Sequence, residues 1–201
     1  MKHIFLPVAL LLLLAQSSCV TTDREVGTSN NPEKVFTPKP EAQRSRLTSS
    51  TVLRTVQAQH AFSERGSKDR FVLLLQGPKI IDANARFLII TAKGDTLRNE
   101  VIPAKALIDE RALQDDPQAA SVRTRELAIL QGMNAFFAEE RFSSPAIPRA
   151  ITAAPEGSDP EAWKAVQADN RAVGFEYVDA SGREKRIAFA KKLNKAVVVA
   201  D

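Results

Sequence analysis

The chain predicts an α+β domain built on antiparallel strands, in which two β-meanders are separated by two helices and form one sheet or a sandwich-like layer packed by the helices. Short apolar runs closed by turn residues occur at 71–75, 85–91 and 96–102. Two Asp-Pro pairs, Asp116-Pro117 and Asp159-Pro160, then mark helix starts. Alternating strands resume from Arg171 to Ala200. Strands, then helices, then strands is the element order of an α+β fold rather than of a parallel α/β sheet.

At the N-terminus, Met1-Lys2-His3 is a short positive start, Ile4–Ala15 is apolar, and Gln16-Ser17-Ser18 precedes the only cysteine, Cys19. This is the three-part build of a secretory signal peptide over residues 1–18, and the run is too short for a spanning helix of about 20 residues. The stretch Leu14–Cys19 resembles a bacterial lipoprotein box, and Ser17-Ser18 before the cysteine resembles the form found in Bacteroidota lipoproteins; Gln16 departs from the aliphatic residue usual at that position. The resemblance implies cleavage before Cys19 and two or three acyl chains on it. Two chains anchor stably where one holds only marginally. The competing expectation is an ordinary signal peptide cut nearby, leaving a free thiol.

Residues 19–62 are read as the lipidated cysteine and a flexible tether. Val20–Ser50 holds Gly27, Pro32, Pro38 and Pro40 with many Ser, Thr and Asn, and so buries too little apolar surface to offset its ordering entropy. About 30 such residues reach roughly 30 Å. Thr51–Phe62 fits either a short helix or an edge strand.

The domain is expected over 63–201. Phe71–Leu75, stopped by Gly77-Pro78, has the length of a buried strand. Ala85–Thr91 and Thr96–Ile102 follow, joined by a turn at Ala92-Lys93-Gly94-Asp95. Ala104–Ile108 is expected to make one helical turn. Asp116 as cap and Pro117 at the first position open a helix to about Glu139, with Leu127, Leu130, Met133 and Phe137 on its inner face, widened by Ile129 and Phe136. Gly132 weakens that helix by up to about 1 kcal/mol relative to Ala. Arg141–Pro148 is an extended link. Asp159-Pro160 opens a second helix to about Asp169, with Trp163 and Val166 inward. Phe175 and Tyr177 share one face of the next strand, Asp179–Gly182 turns, Ile187 and Phe189 point inward on the return, and 196–200 closes a second meander. The strand at 85–91, the segment Asn134–Phe137 leading to Phe142–Ile147, and the turn Lys191–Lys195 together resemble uncharacterised Bacteroidota lipoproteins, a resemblance that implies no activity.

Reactive groups are few. His3 leaves with the signal peptide, so His60 stands without a cysteine partner for a zinc site, and no phosphate loop or nucleophile elbow is present. The acidic pairs Asp109-Glu110, Asp115-Asp116 and Glu139-Glu140, with Asp159, fall at helix ends or loops, where capping explains them. The net charge of +4 does not point to nucleic acid. The basic cluster Arg183, Lys185, Arg186, Lys191, Lys192 and Lys195 is a candidate anionic-surface patch, at about 1 kcal/mol per charge; edge-strand protection explains the same residues.

These readings converge on a non-catalytic protein, exported and held in the cell envelope at the outer membrane by its lipid, without cofactor, acting on an envelope protein or a glycolipid. Two other functions stay open: a carrier with a ligand pocket between helices and sheet, and a hydrolase whose carboxylates converge in one cleft.

Overall fold

Burial alternates along β1 (Val52–His60), β3 (Asn84–Ile90) and much of β4 (Thr96–Pro103), whereas β2 (Asp69–Gln76) buries Phe71, Val72 and Leu73 in succession, and the four pair in chain order into an antiparallel sheet. The computed structural model describes residues 47–109, 113 and 120–201. The expected signal peptide, Cys19, the expected tether as far as residue 46, Glu110 and the expected helix start at Asp115-Asp116-Pro117 lie outside the described residues. Residues Ser45–Asp201 form one compact unit.

The tether ends earlier than the expected boundary at residue 62, because Val52–His60 is a nine-residue strand paired along its length with β2. Of the two readings of Thr51–Phe62, short helix or edge strand, the structure shows the edge strand. Val56 and Ala58 stand opposite Leu73 and Phe71, and a register shift near Val52 and Arg54 lets Leu53 join the same face. Tertiary pairing decides here, since a strand this polar has little drive to order alone. The β3–β4 turn forms as expected. Gly94 takes φ +98° and its N–H donates to the Thr91 carbonyl at 3.0 Å, a backbone shape that glycine adopts without steric cost.

A second four-stranded antiparallel sheet comprises β5 (Phe142–Ser143), β6 (Gly174–Val178), β7 (Glu184–Ala190) and β8 (Lys195–Ala200). The expected second meander thus gains a strand from the Arg141–Pro148 link. The two sheets are separate, and Phe71, Leu73, Phe87 and Ile89 of the first share one core with Phe175, Tyr177, Ile187 and Phe189 of the second. All eight phenylalanines among the described residues, with Tyr177, form a continuous network of ring contacts. Phe175 is its hub, with centroids 4.7 Å from Phe142, 5.3 Å from Phe71 and 5.6 Å from Phe87.

The first helix, α1 (Val122–Ala135), starts at Ser121, whose hydroxyl accepts the Thr124 N–H at 3.1 Å. It stops four residues short of the expected Glu139. Phe136 and Phe137 are both buried in the aromatic core, and the hydrogen-bond ladder tightens there, with the Phe136 N–H on the Met133 carbonyl at 3.3 Å and the Ala138 N–H on the Ala135 carbonyl at 3.2 Å, a 3-10 closure common at helix ends. Leu127, expected on the inner face, is 53% exposed. The buried face is instead Ala128, Ile129, Met133 and Phe136. Gly132 sets this rotation: a Cβ there would lie 1.9 Å from the Leu107 carbonyl oxygen, so the helix presses its glycine onto the Ala104–Leu107 turn.

The short second helix, α2 (Pro160–Gln167), matches its expected start. The Asp159 carboxylate accepts the Glu161 and Ala162 N–H groups, both at 3.1 Å, with Pro160 in the first turn. Trp163 and Val166 point inward against Ala188, Ala190, Val197 and Val199, and the Trp163 indole N–H donates to the Val199 carbonyl at 3.2 Å. Strand β7 is therefore buried on both faces, which explains its unbroken apolar end Ile187–Ala190.

Gly132→Ala separates two opposed effects. Alanine's helix propensity gains about 1 kcal/mol, whereas overpacking against a backbone carbonyl costs about 1–3 kcal/mol. At 1.9 Å the clash dominates, so the variant is expected to melt at a lower temperature than wild type. An unchanged or raised midpoint in calorimetry contradicts the packing.

Candidate functional site

A cleft of about 680 Å³ opens between the Ala104–Leu107 turn, α1 and the β6–β7 hairpin. Small side chains make it. Ala128, Gly132 and Ala135 face it from α1, Leu107 and Phe136 form its apolar floor, and Gln131, Arg141 and Glu184 bring polar groups to its walls. Arg141 ends a 3-10 turn at Glu139–Arg141, and Glu184 begins β7. Asp109 also lines the cleft and has a partner of its own. A smaller hollow of about 190 Å³ lies between Ser63, Ser67, Thr91, Phe189 and Asn194.

The basic cluster is largely neutralised. Lys185 pairs with Asp179 at 2.6 Å, Arg186 with Glu176 at 2.7 Å, Lys191 with Asp169 at 2.6 Å and Lys195 with Asp159 at 2.9 Å. The Arg183 Nε donates to the Ser181 hydroxyl at 3.1 Å. Only Lys192 of the six has neither an ion pair nor a side-chain hydrogen bond among the described residues. The Lys195 and Lys191 ammonium groups, as hydrogen-bond donors, hold the Asp159 and Asp169 carboxyls below the usual carboxylate range, with help from backbone N–H groups.

The acidic pairs that fall among the described residues do not converge. Glu139 and Glu140 are exposed on their 3-10 turn, Asp159 caps α2, and Asp109 is at the cleft. No group of three or more His, Cys, Asp or Glu able to hold a metal occurs among the described residues.

His60 stacks on Phe142 at 3.4 Å between centroids and meets Phe71 edge-on at 5.9 Å. Its Nε2 lies 3.8 Å from the Glu139 carboxylate. Burial lowers its pKa from 6.5 and outweighs the opposing pull of Glu139; Lys68 adds to the lowering. The imidazole thus serves as an aromatic wedge where β1 meets β5.

Three polar centres lay outside the sequence reading. Asp69 is fully buried, and its carboxylate accepts the Phe62 N–H at 3.2 Å, the Ser63 N–H at 2.5 Å and the Ser63 hydroxyl at 2.9 Å, closing the β1–β2 loop. Asp179 accepts the Ser181 N–H at 2.8 Å, the Ser181 hydroxyl at 2.6 Å and the Arg183 N–H at 3.1 Å. Burial pushes the Asp179 carboxyl up, but Lys185, Ser181 and the turn N–H groups prevail and hold it well below the usual range. Between the sheets, Arg98 and Glu100 point inward from β4 to Tyr177. The Arg98 guanidinium donates to the phenol oxygen at 2.8 Å and bonds Glu100, and the phenol donates to Glu100 at 2.8 Å. Burial and Glu100 raise the Tyr177 pKa against the lowering effect of Arg98, so the phenol stays neutral and keeps its proton for that bond. An Asp-x-Ser-Gly turn at 179–182 was a usable signal for Asp179; Asp69 closes a six-residue loop that carries no such turn motif, and the Arg98, Glu100 and Tyr177 centre joins residues distant in sequence.

Comparison with protein-family models, with curated proteins and with solved structures finds no match to this chain.

Two acid-sensitive windows follow. For His60 the folded pKa is depressed, so the unfolded chain takes the proton first and stability falls as pH drops below about 6.5. His60→Phe is expected to remove that component, and NMR titration of the imidazole should give a midpoint under 6.5. For Asp179, stabilisation is present above the ordinary carboxylate range and is lost as pH falls below about 4. Asp179→Asn should be less stable at pH 7 and flatten only this lower limb in urea titrations, leaving the upper one in place.

Proposed function

We propose that this chain is a lipid-anchored protein of the cell envelope, attached through Cys19, whose folded body acts by binding rather than by catalysis. The observation that carries the reading is the N-terminal sequence, an apolar run followed by Ser17-Ser18-Cys19. The fold adds support in one respect: the compact unit begins at Ser45, twenty-six positions along the chain from Cys19. No described helix is long and apolar enough to cross a membrane, so retention at the bilayer would rest on the acyl chains, each buried methylene contributing about 0.8 kcal/mol.

The neutralised basic hairpin bears on the partner. Ion pairs already formed within the chain leave little charge for an anionic surface; Lys185 and Arg186 lie on the inner strand β7, so edge protection accounts only for Lys195 at the start of the edge strand β8. A carrier role is the second reading, favoured by the cleft of about 680 Å³, a size typical of small-ligand sites.

The anchor is tested by expressing the full chain and its Cys19→Ala variant in a Gram-negative host. Wild type should partition into the detergent phase and incorporate a clickable palmitate analogue, and mass spectrometry should find the mature N-terminus at an acylated Cys19. The variant should lose the label and most of its membrane fraction. An unmodified thiol in the mature wild type overturns the proposal.

A further inference from the structure

Arg141 and Glu184 carry opposite charges, line the same cleft, and stand further apart than the 4.0 Å of an ion pair. Neither side chain has a hydrogen-bond or ionic partner among the described residues. Their neighbours differ: Lys185 and Arg186, next along β7, are matched to Asp179 and Glu176, and Asp109 across the cleft has its own partner. Two separated, unmatched charges over an apolar floor of Leu107 and Phe136 complement a ligand that carries both signs at its ends and an apolar group between. A guanidinium grips a carboxylate with two parallel N–H donors, and a carboxylate accepts from an ammonium.

The charge balance excludes other classes. One arginine facing two acids disfavours phosphate and acidic glycolipid, which call for several cations together. A long acyl chain needs an enclosed apolar channel, whereas Asp109, Gln131, Arg141 and Glu184 line this cleft.

We propose that the cleft binds an amino acid or short peptide with free termini, its carboxylate at Arg141, its ammonium at Glu184, and a compact apolar side chain against Leu107 and Phe136. The inference rests on the carrier reading and specifies its ligand class.

The test is titration calorimetry on the full chain in detergent with alanyl-leucine, its N-acetyl form and its C-terminal amide. Wild type should bind alanyl-leucine saturably and each capped form at least tenfold more weakly. Arg141→Gln should weaken alanyl-leucine about tenfold yet leave the amide unaffected, and Glu184→Gln should show the converse with the N-acetyl form. Both side chains are at the surface of the cleft, and circular dichroism checks that the variants fold. Ala135→Trp, at an exposed helix position facing the cleft, should abolish binding by filling it. Equal affinity for free and capped peptides, or variants that bind like wild type, overturns the proposal. N-phenyl-1-naphthylamine separates the two levels. If that uncharged probe binds wild type but not Ala135→Trp while no peptide binds, the zwitterion assignment falls and the carrier reading stands; if neither probe binds, both fall. Nuclear Overhauser contacts from residues 110–119 into the cleft would show it filled by the chain itself and would likewise overturn the assignment.

Discussion

Phe175 holds the two halves of the fold to each other. Its ring meets Phe71 and Phe87 from the first sheet, Phe136 and Phe137 from the end of α1, and Phe142 from the neighbouring strand. Most of these pairs are tilted or edge-to-face, which favours the ring quadrupoles beyond the area they bury. A chain with one cysteine cannot pin two sheets with a disulfide. The aromatic layer supplies that joint instead, and other elements are placed by what they must do to reach it. The helix α1 stops where two consecutive phenylalanines turn into the layer, and β1 lies where His60 can stack on Phe142.

The polar groups follow a common rule. Asp69 and Asp179 are buried at the turns that close the two sheets, and each is satisfied by loop N–H and hydroxyl donors close in sequence. A buried carboxylate without such donors would cost several kcal/mol; with them it specifies one loop conformation. Tyr177, Arg98 and Glu100 do the same across the gap between sheets. Inward-facing charges on β4 also make that edge a poor template for unwanted strand pairing. Most charges of the second sheet are likewise spent within the fold, and this sharpens the contrast with Arg141 and Glu184 at the cleft.

The described contacts and the cleft all belong to the folded unit from Ser45 onward. The cleft exists because α1 turns small residues toward the β6–β7 hairpin, and because Gly132 brings the helix down onto the Leu107 carbonyl. One glycine thus serves the packing of the helix and the shape of the opening beside it.

Local signals were enough for whatever depends on neighbours in the chain. The Gly94 turn, the Asp159-Pro160 cap, the inward pairs Phe175/Tyr177 and Ile187/Phe189, and the α+β class could all be read from spacing and turn chemistry. The division into two sheets, the pairing of Val52–His60, the rotation that exposes Leu127, and the placing of Arg141 and Glu184 on one cleft could not. Each depends on contacts between residues tens of positions apart, and the energy of such contacts comes from surfaces that exist only once the chain has packed. The sequence alone determined the periodicities and the lipoprotein-like start; tertiary packing decided which faces were buried and which charges were left without a match.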